Sequence, residues 1–141
     1  MPYVDVLEEK GGLGDDVRKL LEEGYKIWES SGMPMPPDSE RYIASDALLS
    51  VYRGENAVEL ATACQCFRLY RRLHEMVGEY PIDATLLGDY FFSMFSKCII
   101  PLDSVPVIDQ FAVLLERDTQ AAVSEEEYMS FVRGLPMVLR Q

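Results

Sequence analysis

The chain has 141 residues, of which 48% are apolar and 26% are charged, a size and composition typical of a single soluble globular domain. Its net charge of −11 opposes binding to nucleic acid, because each phosphate contact would need a Lys or Arg side chain to replace a counterion. No apolar run approaches the ~20 residues of a membrane span, and the acidic start MPYVDVLEEKGG is unlike a secretory signal, so we expect a cytoplasmic protein without a membrane span.

Helical patterns dominate the first half of the chain. Apolar side chains three and four residues apart predict a first helix over residues 15–30. The Pro-rich segment 31–40 cannot continue that helix and predicts a linker. Two further helices are predicted over residues 41–52 and 57–78.

Capping and helix-breaking residues predict three more helices in the second half. Asp83 is the predicted N-cap of the fourth helix, which we expect to end at Ile100. Ser104 predicts the start of the fifth. The segment 124–127, Ser-Glu-Glu-Glu, is typical of a capping box and predicts a sixth helix, which we expect to end within residues 134–136.

The predicted fold is all-α, a bundle of about six helices. No segment alternates polar and apolar residues between hairpin turns, so no strand is required. Residues 15–141 are expected to form a single helical domain, with residues 1–14 loosely ordered before it. The three cysteines follow neither a disulfide nor a zinc pattern, and we expect buried free thiols.

The predicted fourth helix is apolar around most of its circumference. A helix of this kind is buried on nearly all sides, whereas so small a bundle has few fully enclosed positions. It is therefore either a central core helix or a helix that a partner subunit partly covers. The large residues concerned are Leu86, Leu87, Tyr90, Phe91, Met94 and Phe95.

An acidic pair and a basic cluster precede this helix. Glu75 and Glu79 have the spacing at which one helix face presents two carboxylates to a divalent cation. A solvated helix face is the alternative interpretation, and it is also our interpretation of the basic cluster Arg68, Arg71 and Arg72.

Five short segments occur in a characteristic order, namely Arg41 with Asp46–Leu49, then Gly54–Ala57, Leu73–Glu79, Ala84–Phe91 and Ser124–Met129. This order resembles the trans-polyprenyl diphosphate synthase family. Members carry an Arg-containing helix start, a Gly-Asp turn, an aspartate-rich helix, the sequence Ala-x-Leu-x-Gly-Asp-x-Leu and a Ser-x-Glu-Glu-Tyr helix. The resemblance implies a truncated isoprenoid-synthase fold.

The resemblance also implies a degenerate metal motif. Family enzymes bind Mg²⁺ through two aspartate-rich motifs, and Glu75 and Glu79 match the outer positions of the first. Met76 replaces its second aspartate, and the sequence ends at Gln141 before the second motif would appear. The resemblance therefore implies no catalytic residue, and no metal or cofactor bound by this chain alone. Mg²⁺ is expected on a catalytic partner.

By this resemblance, the chain is similar to the small, non-catalytic subunit of heteromeric synthases of the hexaprenyl or heptaprenyl type. Such a subunit would form a heterodimer with a catalytic large subunit and help to set the length of the prenyl diphosphate made in the shared complex. The pathway implied is isoprenoid biosynthesis for quinone side chains, such as that of menaquinone. The six large residues of the fourth helix are then candidates for the partner interface or for control of product length. Gly88 and Asp89 are expected to be structural, the first allowing close backbone approach and the second accepting hydrogen bonds.

Two other functions stay open. One is a standalone α-helical interaction or regulatory protein without enzymatic activity, whose apolar helix meets a second copy or another partner. The other is a small independent enzyme that uses His74, Glu75 and Glu79 with a divalent metal ion.

Overall fold

The computed structural model describes the backbone of residues 2–140 and the side chains of residues 12–140. This part of the chain contains no strand, which confirms the predicted all-α bundle of about six helices. None of its helices combines the length and the apolar character needed to cross a membrane. The helices are α1 (Pro2–Ser31), α2 (Ile43–Val51), α3 (Ala57–Met76), α4 (Pro81–Ile99), α5 (Val105–Gln120) and α6 (Glu125–Leu139), with short 3-10 turns at Asp38–Glu40 and Ile100–Leu102.

Helix α3 is the centre of the bundle, and α1, α2 and α4 all pack against it. It carries a run of buried small residues between Ala57 and Cys66, which lets neighbouring backbones approach closely. Gln65 is fully buried in this run, and its Oε1 accepts hydrogen bonds from the backbone N–H groups of Ala44 and Ser45 at 2.9 and 3.0 Å. It thereby satisfies the start of α2, which has no capping side chain of its own. All three cysteines are buried free thiols, as predicted.

The basic cluster on α3 differs from its prediction. Arg68 and Arg71 are only 12% and 11% exposed, and only Arg72 is a solvated side chain. Arg71 donates from Nε to Asp118 at 2.8 Å and from Nη2 to the carbonyl oxygen of Val123 at 2.7 Å. Because these partners lie about fifty residues further along the chain, the helical spacing of the arginines contained no sign of them. These two hydrogen bonds of Arg71 hold the α5–α6 connection against α3.

Several helix boundaries also differ from the predictions. Helix α4 starts at Pro81 after Tyr80, because proline suits the first helical position, so Asp83 lies inside the first turn and is not the N-cap. Helix α6 continues through Pro136 to Leu139, and the apolar burial of the Pro136 ring opposes the cost of its missing backbone donor. The backbone of α1 is helical from Pro2, well before residue 15. Side chains up to residue 11 lie outside the described part, and the loose order of residues 1–14 stays a prediction.

Two predicted caps are confirmed. The Ser104 side chain accepts from the backbone N–H of Val107 at 3.3 Å, and that of Ser124 accepts from the N–H of Glu127 at 3.1 Å.

The linker between α1 and α2 is held by side chains at both ends. Trp28 Nε1 donates to the Pro34 carbonyl oxygen at 3.1 Å. Arg41 Nε donates to that of Pro36 at 3.0 Å.

Candidate functional site

Helices α1 and α4 approach each other closely at Gly24. A Cβ atom at this position would lie 2.6 Å from Cζ of Phe91 and 2.9 Å from Cε1 of Tyr90, both far inside van der Waals contact. The absence of a side chain at Gly24 therefore sets the distance between the two helices. Phe91 is fully buried there, and its ring lies 6.1 Å from that of Tyr25 and 6.3 Å from that of Trp28.

Around this contact lies a surface of large apolar side chains, which we call the α1–α4 apolar face. On α1, Leu20 and Ile27 flank Gly24 at helical spacing and are 44% and 41% exposed. On α4, Leu86 and Ile82 precede Tyr90 by four and eight residues and are 64% and 72% exposed. Tyr90 is on the same helical stripe as Leu86 and Ile82, and it is half-buried beside Gly24 of α1.

The hydroxyl of Tyr90 stays protonated at neutral pH. Burial raises its pKa, and the nearby carboxylate of Glu23 raises it further. The face therefore gains no charge from Tyr90, while Glu23 supplies an acidic group at its edge.

The six interface or product-length candidates on α4 separate into two sets. Leu86 is exposed, and Tyr90 and Met94 are half-buried, so these three remain accessible to a partner. The other three, Leu87, Phe91 and Phe95, are buried in the hydrophobic core of this chain. The core-helix interpretation therefore holds for one side of α4, and the other side is accessible to solvent.

Gly88 and Asp89 lie beside a shallow depression between α3 and α4. A Cβ atom at Gly88 would meet Leu73 at 3.8 Å and Tyr70 at 3.9 Å, which are ordinary contact distances. Glycine is therefore required sterically at Gly24 and not at Gly88. Asp89 is exposed and, with His74, lies on the edge of this depression of about 190 Å³.

The two glutamates of the degenerate metal motif are both exposed. Helix α3 ends at Met76, and the N–H of Glu79 donates to the Met76 carbonyl oxygen at 3.1 Å within the following turn. Glu75 and Glu79 are therefore not presented by one continuous helix. Among residues 12–140, no group of three or more His, Cys, Asp or Glu side chains is placed to share a metal ion.

An apolar cleft between α4 and α5 has no counterpart among the sequence-based predictions. Helix α5 contacts α6 more closely than α4, and the gap left beside α4 has a volume of about 180 Å³. The signal in the sequence is a second apolar stripe on α5, at Ile108, Ala112 and Leu115, offset from the buried Val107 and Phe111. The cleft is lined by Phe67, Phe92, Phe95, Ile99, Ile108, Phe111, Ala112 and Leu115.

Comparison of the chain with protein-family models, with curated proteins and with solved structures finds no match. A function for this chain must therefore be argued from its own residues and surfaces, with the motif resemblance as a prediction.

Proposed function

We propose that this chain is an accessory subunit that pairs with the catalytic large subunit of a polyprenyl diphosphate synthase and helps to set the length of its product. The observation that carries the proposal is the α1–α4 apolar face. Four aliphatic side chains on these two helices are each more than 40% exposed, and Tyr90 on α4 is half-buried. Large exposed apolar side chains grouped on two packed helices are typical of an interaction site.

Covering this face would supply part of the free energy of association. Full burial of a Leu or Ile side chain contributes ~1.5–3 kcal/mol. The exposed fractions of the four aliphatic side chains together equal a little over two fully exposed residues. Covering them would contribute on the order of 3–6 kcal/mol before the cost of association. Further contacts around the face would have to supply the rest of the free energy of association.

The choice of a prenyl synthase as the partner rests on the five-segment resemblance. In chain order the segments lie at the start of α2, in the turn after it, at the end of α3, on α4 and at the start of α6. The apolar face lies on α1 and α4, and α4 is the helix with the Gly88-Asp89 sequence. In the proposed heterodimer this face contacts the catalytic subunit, which supplies the aspartate-rich motifs, the Mg²⁺ ions and the bound prenyl diphosphate.

Control of product length is assigned to side chains at the shared surface. Each added isoprene unit buries about five carbons, so elongation is favoured by roughly 3–4 kcal/mol per unit while the tunnel stays open. A bulky side chain across the tunnel removes that gain. Tyr90 and Met94 are large and half-buried at the surface of α4, and we assign this role to them.

The test is a product assay with isopentenyl and farnesyl diphosphates. The chain alone should give no product, and co-expression with a large subunit encoded in the same genome should give long-chain products. Equal product length with and without this chain would contradict the proposal. A stable self-dimer with no affinity for the large subunit would favour the standalone interaction protein instead.

A further inference from the structure

The apolar cleft between α4 and α5 is lined by aliphatic and aromatic side chains. Its floor is formed by three rings in mutual contact. The Phe67 and Phe95 centroids lie 5.3 Å apart, those of Phe67 and Phe111 5.1 Å, and those of Phe95 and Phe111 4.9 Å. These rings are 1%, 7% and 3% exposed, so the cleft reaches the main hydrophobic core.

The mouth of the cleft lies on the surface of α5. Ile108 is 42% exposed, and Ala112, one turn further along the same stripe, is also exposed. Ser104 caps the N-terminal end of α5, and the ion pair between Asp118 and Arg71 holds its C-terminal end to α3.

We propose that this cleft binds the hydrocarbon end of a small ligand, a group of about six carbons. All eight lining side chains are pure hydrocarbon, so a polar group placed inside would lose its hydration and find no hydrogen-bond partner among them. A cavity of ~150 Å³ with a similar lining stays dry and binds benzene, which fixes the size of group that about 180 Å³ can hold. Any polar head of the ligand remains at the mouth, beside Ala112.

A hydrocarbon end fits the cleft better than a flat protein surface does. The gap is concave, and the three rings beneath it are exposed only at their edges. A protruding hydrocarbon chain can enter a concave gap of this volume, whereas the flat side of a helix would contact only its rim. The inference goes beyond the proposed function and does not depend on it, because the cleft lies between α4 and α5 and the α1–α4 apolar face involves a different pair of helices.

The experiment uses the full chain with the δ1 methyl groups of its six isoleucines labelled for NMR and titrates it with 1-hexanol. Ile99 and Ile108 line the cleft, whereas Ile27, Ile43, Ile82 and Ile100 do not. We expect saturable shifts at the first two, with a Kd on the order of 1 mM, as befits a ligand of about seven heavy atoms. Similar shifts at all six methyl groups would overturn the proposal.

A series of 1-alkanols from four to eight carbons then measures the depth of the cleft. Each added CH₂ should tighten binding about fourfold until about six carbons are buried, after which the gain should fall. A constant gain through eight carbons would indicate partition onto exposed apolar surface and would overturn the proposal. If no alcohol binds saturably and the cleft becomes covered only in a complex with another protein, the cleft is a protein contact. That result would also overturn the proposal.

Two matched variants complete the test. Ala112→Leu places a larger side chain in the mouth of the cleft, and Val113→Leu adds a methylene at the neighbouring exposed position, which does not line it. Leucine is a good helix former, so both variants should keep α5 intact. We expect Ala112→Leu to weaken hexanol binding at least tenfold and Val113→Leu to leave it within about twofold. Equal binding by both variants would contradict the assignment.

Discussion

An added methyl group at Gly24 tests the helix contact on which the α1–α4 apolar face depends. In Gly24→Ala the new Cβ would lie 2.6 and 2.7 Å from two atoms of the Phe91 ring. That ring is fully buried against Tyr25 and Trp28, so it cannot withdraw without disturbing them. We therefore expect the substitution to lower the free energy of unfolding.

A second helical glycine provides the reference for the change in the free energy of unfolding. Gly134 lies inside α6 with nothing within 4 Å of an added Cβ, so Gly134→Ala should stabilise the chain by ~0.5–1 kcal/mol. Gly24→Ala gains the same helix propensity but adds an overpacking cost of ~1–3 kcal/mol. Because the propensity gain cancels in the comparison, the two variants should differ by about 1–3 kcal/mol.

The assay is urea unfolding followed by tryptophan fluorescence. Trp28 is the single tryptophan and is fully buried beside Phe91, so it reports on the contact itself. In a Phe91→Leu background, where the ring is gone, Gly24→Ala should cost less, with a coupling of at least ~1 kcal/mol. Equal stabilisation by Gly24→Ala and Gly134→Ala would refute the reasoning.

Three further predictions concern the Arg71–Asp118 pair, the α6 cap and the thiols. The hydrogen bond from Arg71 lowers the pKa of Asp118 in the folded chain, so the stability that this pair contributes is present above the ordinary carboxyl pKa and is lost as pH falls through the folded pKa. Urea unfolding at a series of acid pH values should show this loss of stability. Arg71→Ala should make the loss smaller and should cost ~2–4 kcal/mol of unfolding free energy at neutral pH. Ser124→Ala should cost ~1 kcal/mol in urea unfolding, whereas Ser130→Ala, on the exposed side of the same helix, should cost nothing; equal losses would contradict the capping role. Burial raises the pKa of Cys98 to about 11, so an aromatic disulfide reagent at pH 8 should label it only after unfolding, and rapid labelling of the folded chain would contradict its burial.

Local signals were sufficient to predict the helices. The serine caps and the Pro-rich linker act within a few residues of their own position, and the structure confirms the caps at Ser104 and Ser124. Pro136 misled the prediction for α6, because a buried proline near a helix end is compatible with continuation. Local rules describe what a segment prefers, and burial can override that preference.

The candidate site was harder to predict because it depends on contacts between distant segments. The apolar pattern of α4 indicated a helix covered on nearly all sides, but which residues face the core follows from its packing against α3 and from the close approach of α1 at Gly24. The cleft likewise depends on how far α5 stands from α4. The helical spacing of Glu75 and Glu79 assumed a helix that in fact ends at Met76.

The most direct measurement of the central claim is the affinity of this chain for the catalytic large subunit, determined for Leu86→Lys and Met137→Lys. The two side chains are similarly exposed, at 64% and 70%, but only Leu86 belongs to the α1–α4 apolar face. Covering Leu86 should contribute about 1–2 kcal/mol, and a lysine there would add the cost of desolvating a charge. The account predicts at least about tenfold weaker binding for Leu86→Lys and unchanged binding for Met137→Lys. Equal affinities for the two variants, or no binding by the wild-type chain, would contradict it.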